Sequence, residues 1–157
     1  MRRTSMHRIE IASFLKSSEG AFVPPDQWEG GVEDPDYVEG AVALTIDGIP
    51  LLDTELWDYV DQLWAYILTM LTDLRTEWRV RTYFPDQPIE LVLQRTSPGR
   101  LYVSARVDDS DVRNAHVDEA EFTGALVEAA EAFFTGMERI LPGAYSTEAR
   151  QLAALRT

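Results

Sequence analysis

The stretch LLDTELWDYVDQLWAYILTMLTDL, residues 51–74, decides the fold. Its residues Leu56, Val60, Leu63, Ile67, Leu71 and Leu74 recur at steps of four and three, which is one face of an α-helix. Trp57, Trp64, Leu68 and Met70 widen that face. Asp58, Asp61, Gln62, Ala65, Thr69, Thr72 and Asp73 leave only a narrow polar stripe. Asp53 or Thr54 can cap the first turn by accepting a bond from its free N–H groups. Glu55 and Asp58 add negative charge where the helix dipole favours it. The pattern predicts a helix over 54–76. Its uncharged run, Gln62 to Thr72, is eleven residues, well short of the ~20 that cross a bilayer. The segment is therefore no membrane span. It is either the central core helix or a core helix with a spare apolar strip for a partner or a second copy.

Outward from this helix the period changes to two. On its N-terminal side, HRIEIASFL (7–15) reads as a strand. AVALTI (41–46) reads as another, with Val42, Leu44 and Ile46 on one face. Asp47-Gly48 follows as a tight hairpin turn, because both positions accept positive φ. Pro50 in the returning IPLL confines that strand to an edge or to one or two ladder bonds. On the C-terminal side, WRVRTYF (78–84), IELVLQR (89–95) and LYVSARV (101–107) alternate, joined by the turns PDQP and TSPGR. They predict an antiparallel meander with one wet face. VRNAHV (112–117) is compatible with a further short strand. Asp118 caps a second long helix, with Glu121 three residues on as in a capping box. Phe122, Leu126, Ala129, Phe133, Met137 and Ile140 form its apolar face, and Leu141-Pro142-Gly143 stops it. A short last helix starts at Ser146 or Thr147, with Leu152 and Leu155 inward.

The chain of 157 residues fits one α+β domain over 1–157. We expect two layers: an antiparallel sheet of about five strands, two long helices on one face, and a short C-terminal helix. Between the first strands lies a long acidic loop, about residues 17–40, punctuated by Pro24-Pro25, Gly30-Gly31 and Pro35, and compatible with a short strand at 21–23.

Charge is unevenly spread. From Ser17 to Leu74 there are thirteen acids and no Lys or Arg, whereas residues 75 to 106 hold six arginines against three acids. The net charge of −13 argues against nucleic acid and anionic membranes as partners. The absence of cysteine excludes disulfides, thiolate zinc sites and iron–sulfur clusters. The basic N-terminus lacks the apolar run of a secretory signal, so a cytoplasmic location is expected.

Sites of chemistry are sparse. His7 and His116 are isolated, and no metal is expected. Asp108 to Asp111 resembles a calcium loop only in part, since the sixth-position glycine is missing. No nucleophile elbow or phosphate-binding glycine loop is present, and no cofactor is expected. Asp58 and Asp61, one helical turn apart, could split their pKa values as paired carboxylates do, or simply belong to the polar stripe. Two candidate surfaces remain. The acidic one comprises Trp28, Glu33, Asp34, Asp36, Tyr37 and Glu39 on the loop with Asp58 and Asp61 on the helix. The other is the wet sheet face, Arg79, Arg81, Tyr83, Tyr102 and Arg106, suited to holding a carboxylate or phosphate.

In size, acidity, lack of cysteine and element order, the chain resembles the small α+β immunity proteins of bacterial polymorphic toxin systems. That resemblance implies a non-enzymatic binding role, in which an acidic surface covers a basic protein partner and gains association rate from the charge. It transfers no functional residues. Two further readings stand beside it: a small-molecule-binding domain or minor enzyme with a pocket between the sheet and helix 54–76, and a self-associating subunit using that helix's spare strip.

Overall fold

The computed structural model describes residues 8–156; His7 and the basic run before it lie outside the described residues. The strands are β1 (Ile9–Lys16), β2 (Phe22–Val23), β3 (Glu39–Ile46), β4 (Ile49–Leu52), β5 (Asp58–Tyr59), β6 (Arg79–Tyr83), β7 (Glu90–Ser97), β8 (Arg100–Asp108) and β9 (Asp111–Asp118). The helices are α1 (Val60–Asp73), α2 (Glu119–Ile140) and α3 (Ser146–Leu155). The fold is α+β. Its strands divide into two antiparallel sheets rather than one: β2-β1-β3-β4 with β5 beside β3, and the meander β6-β7-β8-β9.

Local chemistry explains most of the elements. Asp47 and Gly48 both take positive φ, 52° and 81°, and so close the β3–β4 hairpin with the right twist. Pro50 sits on β4, the last strand of its sheet, where its missing N–H costs little. Gly40 lies where β3 passes under α1. A Cβ there would fall 2.1 Å from the Phe14 carbonyl oxygen and 2.7 Å from Val60, so the crossing requires glycine. The Asp118 side chain accepts the Glu121 N–H at 2.9 Å and starts α2.

α1 begins later than its periodicity predicts. Asp53 caps only a single 3-10 turn, Thr54–Leu56, accepting the Glu55 N–H at 2.9 Å. Asp58 and Tyr59 are then extended and pair with Gly40 and Glu39 of β3. Apolar spacing cannot register this interruption, because Trp57 and Val60 are apolar in either conformation.

The core lies where α1 and α2 meet the two sheets. α1 packs against β3 and β6, and α2 against β1 and β9. Leu63 and Ile67 are 1% and 3% exposed, as a central helix requires. Trp64 is fully buried and donates its indole N–H to the Ser13 hydroxyl at 2.9 Å, so the largest core side chain leaves no unmet donor. The remaining flank of α1 is covered by α3. Tyr66, Thr69, Thr72 and Asp73 are its only exposed residues, so no spare apolar strip is left for a partner.

Arg95 joins the two long helices. Its guanidinium grips Glu119 at 2.7 and 3.0 Å at the start of α2 and donates to the Leu74 carbonyl at 3.0 Å at the end of α1. Charges of opposite sign thus meet the two helix ends whose dipoles favour them. No described helix is long and apolar enough to cross a membrane.

Candidate functional site

The acidic loop folds back on the body as a groove of about 830 Å³ between the end of β1 and residues 27–39. Glu19, Glu29, Glu33, Asp34 and Glu39 line it, against one cation, Lys16. Trp28 and Tyr37 supply aromatic surface. The groove therefore presents excess negative charge with two π faces, a combination that favours cationic side chains.

The loop owes its shape to bonds at both ends. Arg139 of α2 donates to the carbonyls of Pro25 (2.6 Å) and Trp28 (2.8 Å). Gly136 lets the loop approach α2; a Cβ there would lie 2.7 Å from the Pro25 Cβ. The Trp28 indole N–H reaches the Gly31 carbonyl at 3.2 Å. Further on, the Asp34 carboxylate accepts the Asp36 N–H (3.0 Å) and the Asp34 carbonyl accepts the Tyr37 N–H (3.1 Å). Gln62 of α1 donates to the Asp36 carbonyl at 3.2 Å. The acidic segment is thus held in shape before any partner arrives, which lowers the entropic cost of binding.

Glu33, Asp34, Asp36 and Tyr37 are exposed, Trp28 and Glu39 half-buried. The Tyr37 ring stands 5.2 Å from that of Tyr59. Burial pushes the Tyr59 hydroxyl above its ordinary range, and the charges of Asp86, Tyr37, Glu39 and Asp58 push the same way. Lys16 points its ammonium at the Trp57 ring, 4.5 Å from the centroid. Glu19, Glu29 and Lys16 were not singled out from the sequence. The two acids belong to the same unbroken acidic run, which is the one signal that could have found them.

Asp58 and Asp61 do not belong to this surface, contrary to the expectation from their place on the polar stripe. Asp58 is 3% exposed. Its carboxylate accepts the N–H groups of Tyr59 (2.7 Å), Asp86 (3.1 Å) and Gln87 (2.9 Å), fastening the β6–β7 turn to the start of α1. Asp61 is 9% exposed and accepts the Tyr145 hydroxyl at 2.8 Å and the Gln62 N–H at 2.8 Å. Burial holds its carboxyl above the usual range; the two hydrogen bonds oppose this, and the charge of Glu148 reinforces it. Burial and the Asp61 charge likewise push the Tyr145 hydroxyl up. Glu148 faces inward on α3, and its Oε2 is buried without a hydrogen-bond partner among the described residues. Both aspartates are structural anchors rather than a solvent-facing acid–base pair.

The sheet face is assembled as the alternation predicts. Register places Arg79, Gln94, Tyr102 and His116 in one row across β6 to β9. Arg81, Val92, Ser104 and Asn114 form the next row, and Tyr83, Glu90, Arg106 and Val112 the third. Arg79, Arg81, Tyr83 and Arg106 are exposed and Tyr102 is half-buried against the His116 ring at 5.2 Å. Arg81, exposed, meets the half-buried Glu90 at 3.3 Å, and Arg106 meets Asp109 at 3.4 Å in an exposed pair of little energetic weight.

Two other sequence expectations concern ligands. Between α1, α2 and the sheets the free space is about 20 Å³, lined only by apolar side chains such as Ile67, Leu93 and Phe122. That is near the room one water needs, so the region is packed core and offers no ligand pocket. Asp108 accepts the N–H and hydroxyl of Ser110, both at 2.8 Å, and so shapes the β8–β9 turn. Among the described residues, no group of three or more His, Asp or Glu side chains is placed to hold a metal ion.

No protein-family model, curated protein or solved structure matches the chain.

Proposed function

We propose that the chain is a protein-binding module of the immunity or adaptor type, which takes a basic partner through the acidic groove of the 17–40 loop. One observation carries the reading. A groove of about 830 Å³ is lined by five carboxylates and two aromatic rings, on a loop already held by Arg139 and Gln62. The groove is open and of a size for several side chains, which suits a protein segment. The residues that offered acid–base chemistry, Asp58 and Asp61, are committed to internal bonds. This favours binding over catalysis. A protein that acts on nucleic acid carries a basic surface for its anionic substrate, and that is the class of surface an acidic groove would cover fastest.

The test is kinetic. Affinity capture from the native host supplies the partner. Glu33→Gln, Asp34→Asn, Asp36→Asn and Glu39→Gln are then combined in one variant. Stability should change little, because Glu33, Asp34 and Asp36 are exposed and exposed charges contribute about 0–1 kcal/mol each, while Glu39, half-buried, keeps its shape as Gln. Association measured by stopped flow should slow in the variant, most at low salt, where the screening length is longest. Equal on-rates for wild type and variant at low salt would reduce the loop to a solubilising surface and remove this reading.

A further inference from the structure

We propose that the free edge of β6 accepts an extended acidic segment of a partner protein by strand addition. β6 ends the four-stranded sheet. Its bonding to β7 follows from two contacts: the Arg95 N–H donates to the Trp78 carbonyl at 2.7 Å, and the Phe84 N–H donates to the Ile89 carbonyl at 2.9 Å. In an antiparallel ladder, bonded and non-bonded residues alternate. Residues 78, 80, 82 and 84 therefore direct their polar groups into the sheet. Arg79, Arg81 and Tyr83 direct theirs outward. Among the described residues, the only hydrogen bond these outward groups make is to the Tyr83 carbonyl, from the Thr82 hydroxyl at 3.2 Å.

The other edges are guarded. β2 has two residues, β4 carries Pro50, and β9 lies against β4 and α2. β6 carries no proline and no register shift, two of the devices by which exposed edges resist pairing; its charges, Arg79 and Arg81, repel a like-charged strand and leave an acidic one admissible. Trp78 and Tyr83, 61% and 52% exposed, bracket it with apolar surface.

Charge selects the occupant. The outward residues Arg79 and Arg81 also place their side chains on the open face, two positions apart. A strand laid beside them sets its own alternate residues opposite, where opposite charges stabilise and like charges destabilise. Arg79 makes no ion pair among the described residues, and Arg81, whose side chain is exposed, reaches Glu90 only at 3.3 Å. A second copy of the chain fits poorly, because the register that pairs all five residues of β6 sets Arg81 opposite Arg81. The outward N–H and C=O groups of residues 79, 81 and 83 form half of a ladder that a polypeptide strand completes and a nucleic acid does not. This surface shares no residue with the acidic groove, and the inference does not depend on the reading of that groove.

The probe is an acetylated, amidated eight-residue peptide alternating Glu with Val and Thr, compared with its Lys counterpart, both titrated into the full chain and followed by amide NMR. The Glu peptide should shift the amides of residues 79, 81 and 83 and bind about tenfold or more tighter than the Lys peptide, as expected for two cross-strand pairs changing sign. Arg81→Pro removes an outward N–H and no ladder bond, so it should keep the fold and lose the peptide. Arg79→Glu with Arg81→Glu should invert the preference, and this pair decides the matter if the proline variant does not fold. Equal affinity for the two peptides, shifts confined to other strands, or wild-type binding by Arg81→Pro would each overturn the proposal. So would a thymidine oligonucleotide that displaces the Glu peptide, or a dimer in sedimentation that Arg81→Pro dissociates.

Discussion

Replacing Asp58 by alanine tests the proposition that this carboxylate is a structural clasp. The wild-type side chain is nearly inaccessible and accepts bonds from the backbone N–H groups of Asp86 and Gln87, some thirty residues away in sequence, as well as from the adjacent Tyr59 N–H. A hydrogen bond to an ionised acceptor contributes about 1.5–3 kcal/mol net. Two such long-range bonds set an upper range of about 3–6 kcal/mol. Asp86 is exposed and Gln87 half-buried, so their N–H groups regain some water in the variant. The expected loss is therefore about 2–4 kcal/mol. Asp58→Asn keeps one acceptor oxygen and should lose about half as much. Urea unfolding at neutral pH reads the difference, provided the slope with denaturant is unchanged. Amide exchange at Gln87 supplies a local check and should accelerate in both variants. A loss below about 0.5 kcal/mol in Asp58→Ala, within the range of ordinary surface substitutions, would refute the clasp and return Asp58 to the list of replaceable polar residues.

Two further outcomes follow from the core and from the α1–α3 seam. Leu63→Ala removes a side chain that is 1% exposed at the centre of α1 and should cost about 2–5 kcal/mol in chemical unfolding; a loss under about 1 kcal/mol would contradict its central position. Asp61 has a folded-state pKa raised by burial, so its contribution to stability is full below the unfolded value and is lost as pH rises through the folded value. Asp61→Asn retains an acceptor for the Tyr145 hydroxyl and cannot ionise. Relative to wild type it should gain stability as pH rises from about 4 to 7, and melts across that window in which the two proteins stay parallel would refute the assignment.

Local pattern was enough for the elements and their class. Period two marked β3, β7 and β8, period 3.6 marked α1 and α2, and the Asp47-Gly48 and Asp118 signals named a turn and a cap that the structure contains. These are properties of a few neighbouring residues, set by sterics and by unmet backbone donors, so a single chain discloses them. The alternation of Arg79, Arg81 and Tyr83 against Val80 likewise placed the wet face of the meander, because strand geometry leaves no other arrangement once one face is buried.

What required tertiary structure was every decision between remote partners. The division into two sheets rests on which strands exchange hydrogen bonds, and nothing in an alternating pattern names its partner. Asp58 reads as an exposed helical acid until the turn at 85–87 supplies its donors, and Asp61 until Tyr145 arrives from beyond α2. The apolar strip that left room for a partner on α1 is covered by α3, a short helix whose docking depends on the path of the chain after Gly143. The acidic run was visible as a run, but its shape as a groove comes from Arg139 and Gln62, two residues that lie outside it. Burial and pairing of polar groups are long-range quantities, decided by the full three-dimensional packing, and a polar side chain carries no local sign of whether it will meet water or a donor.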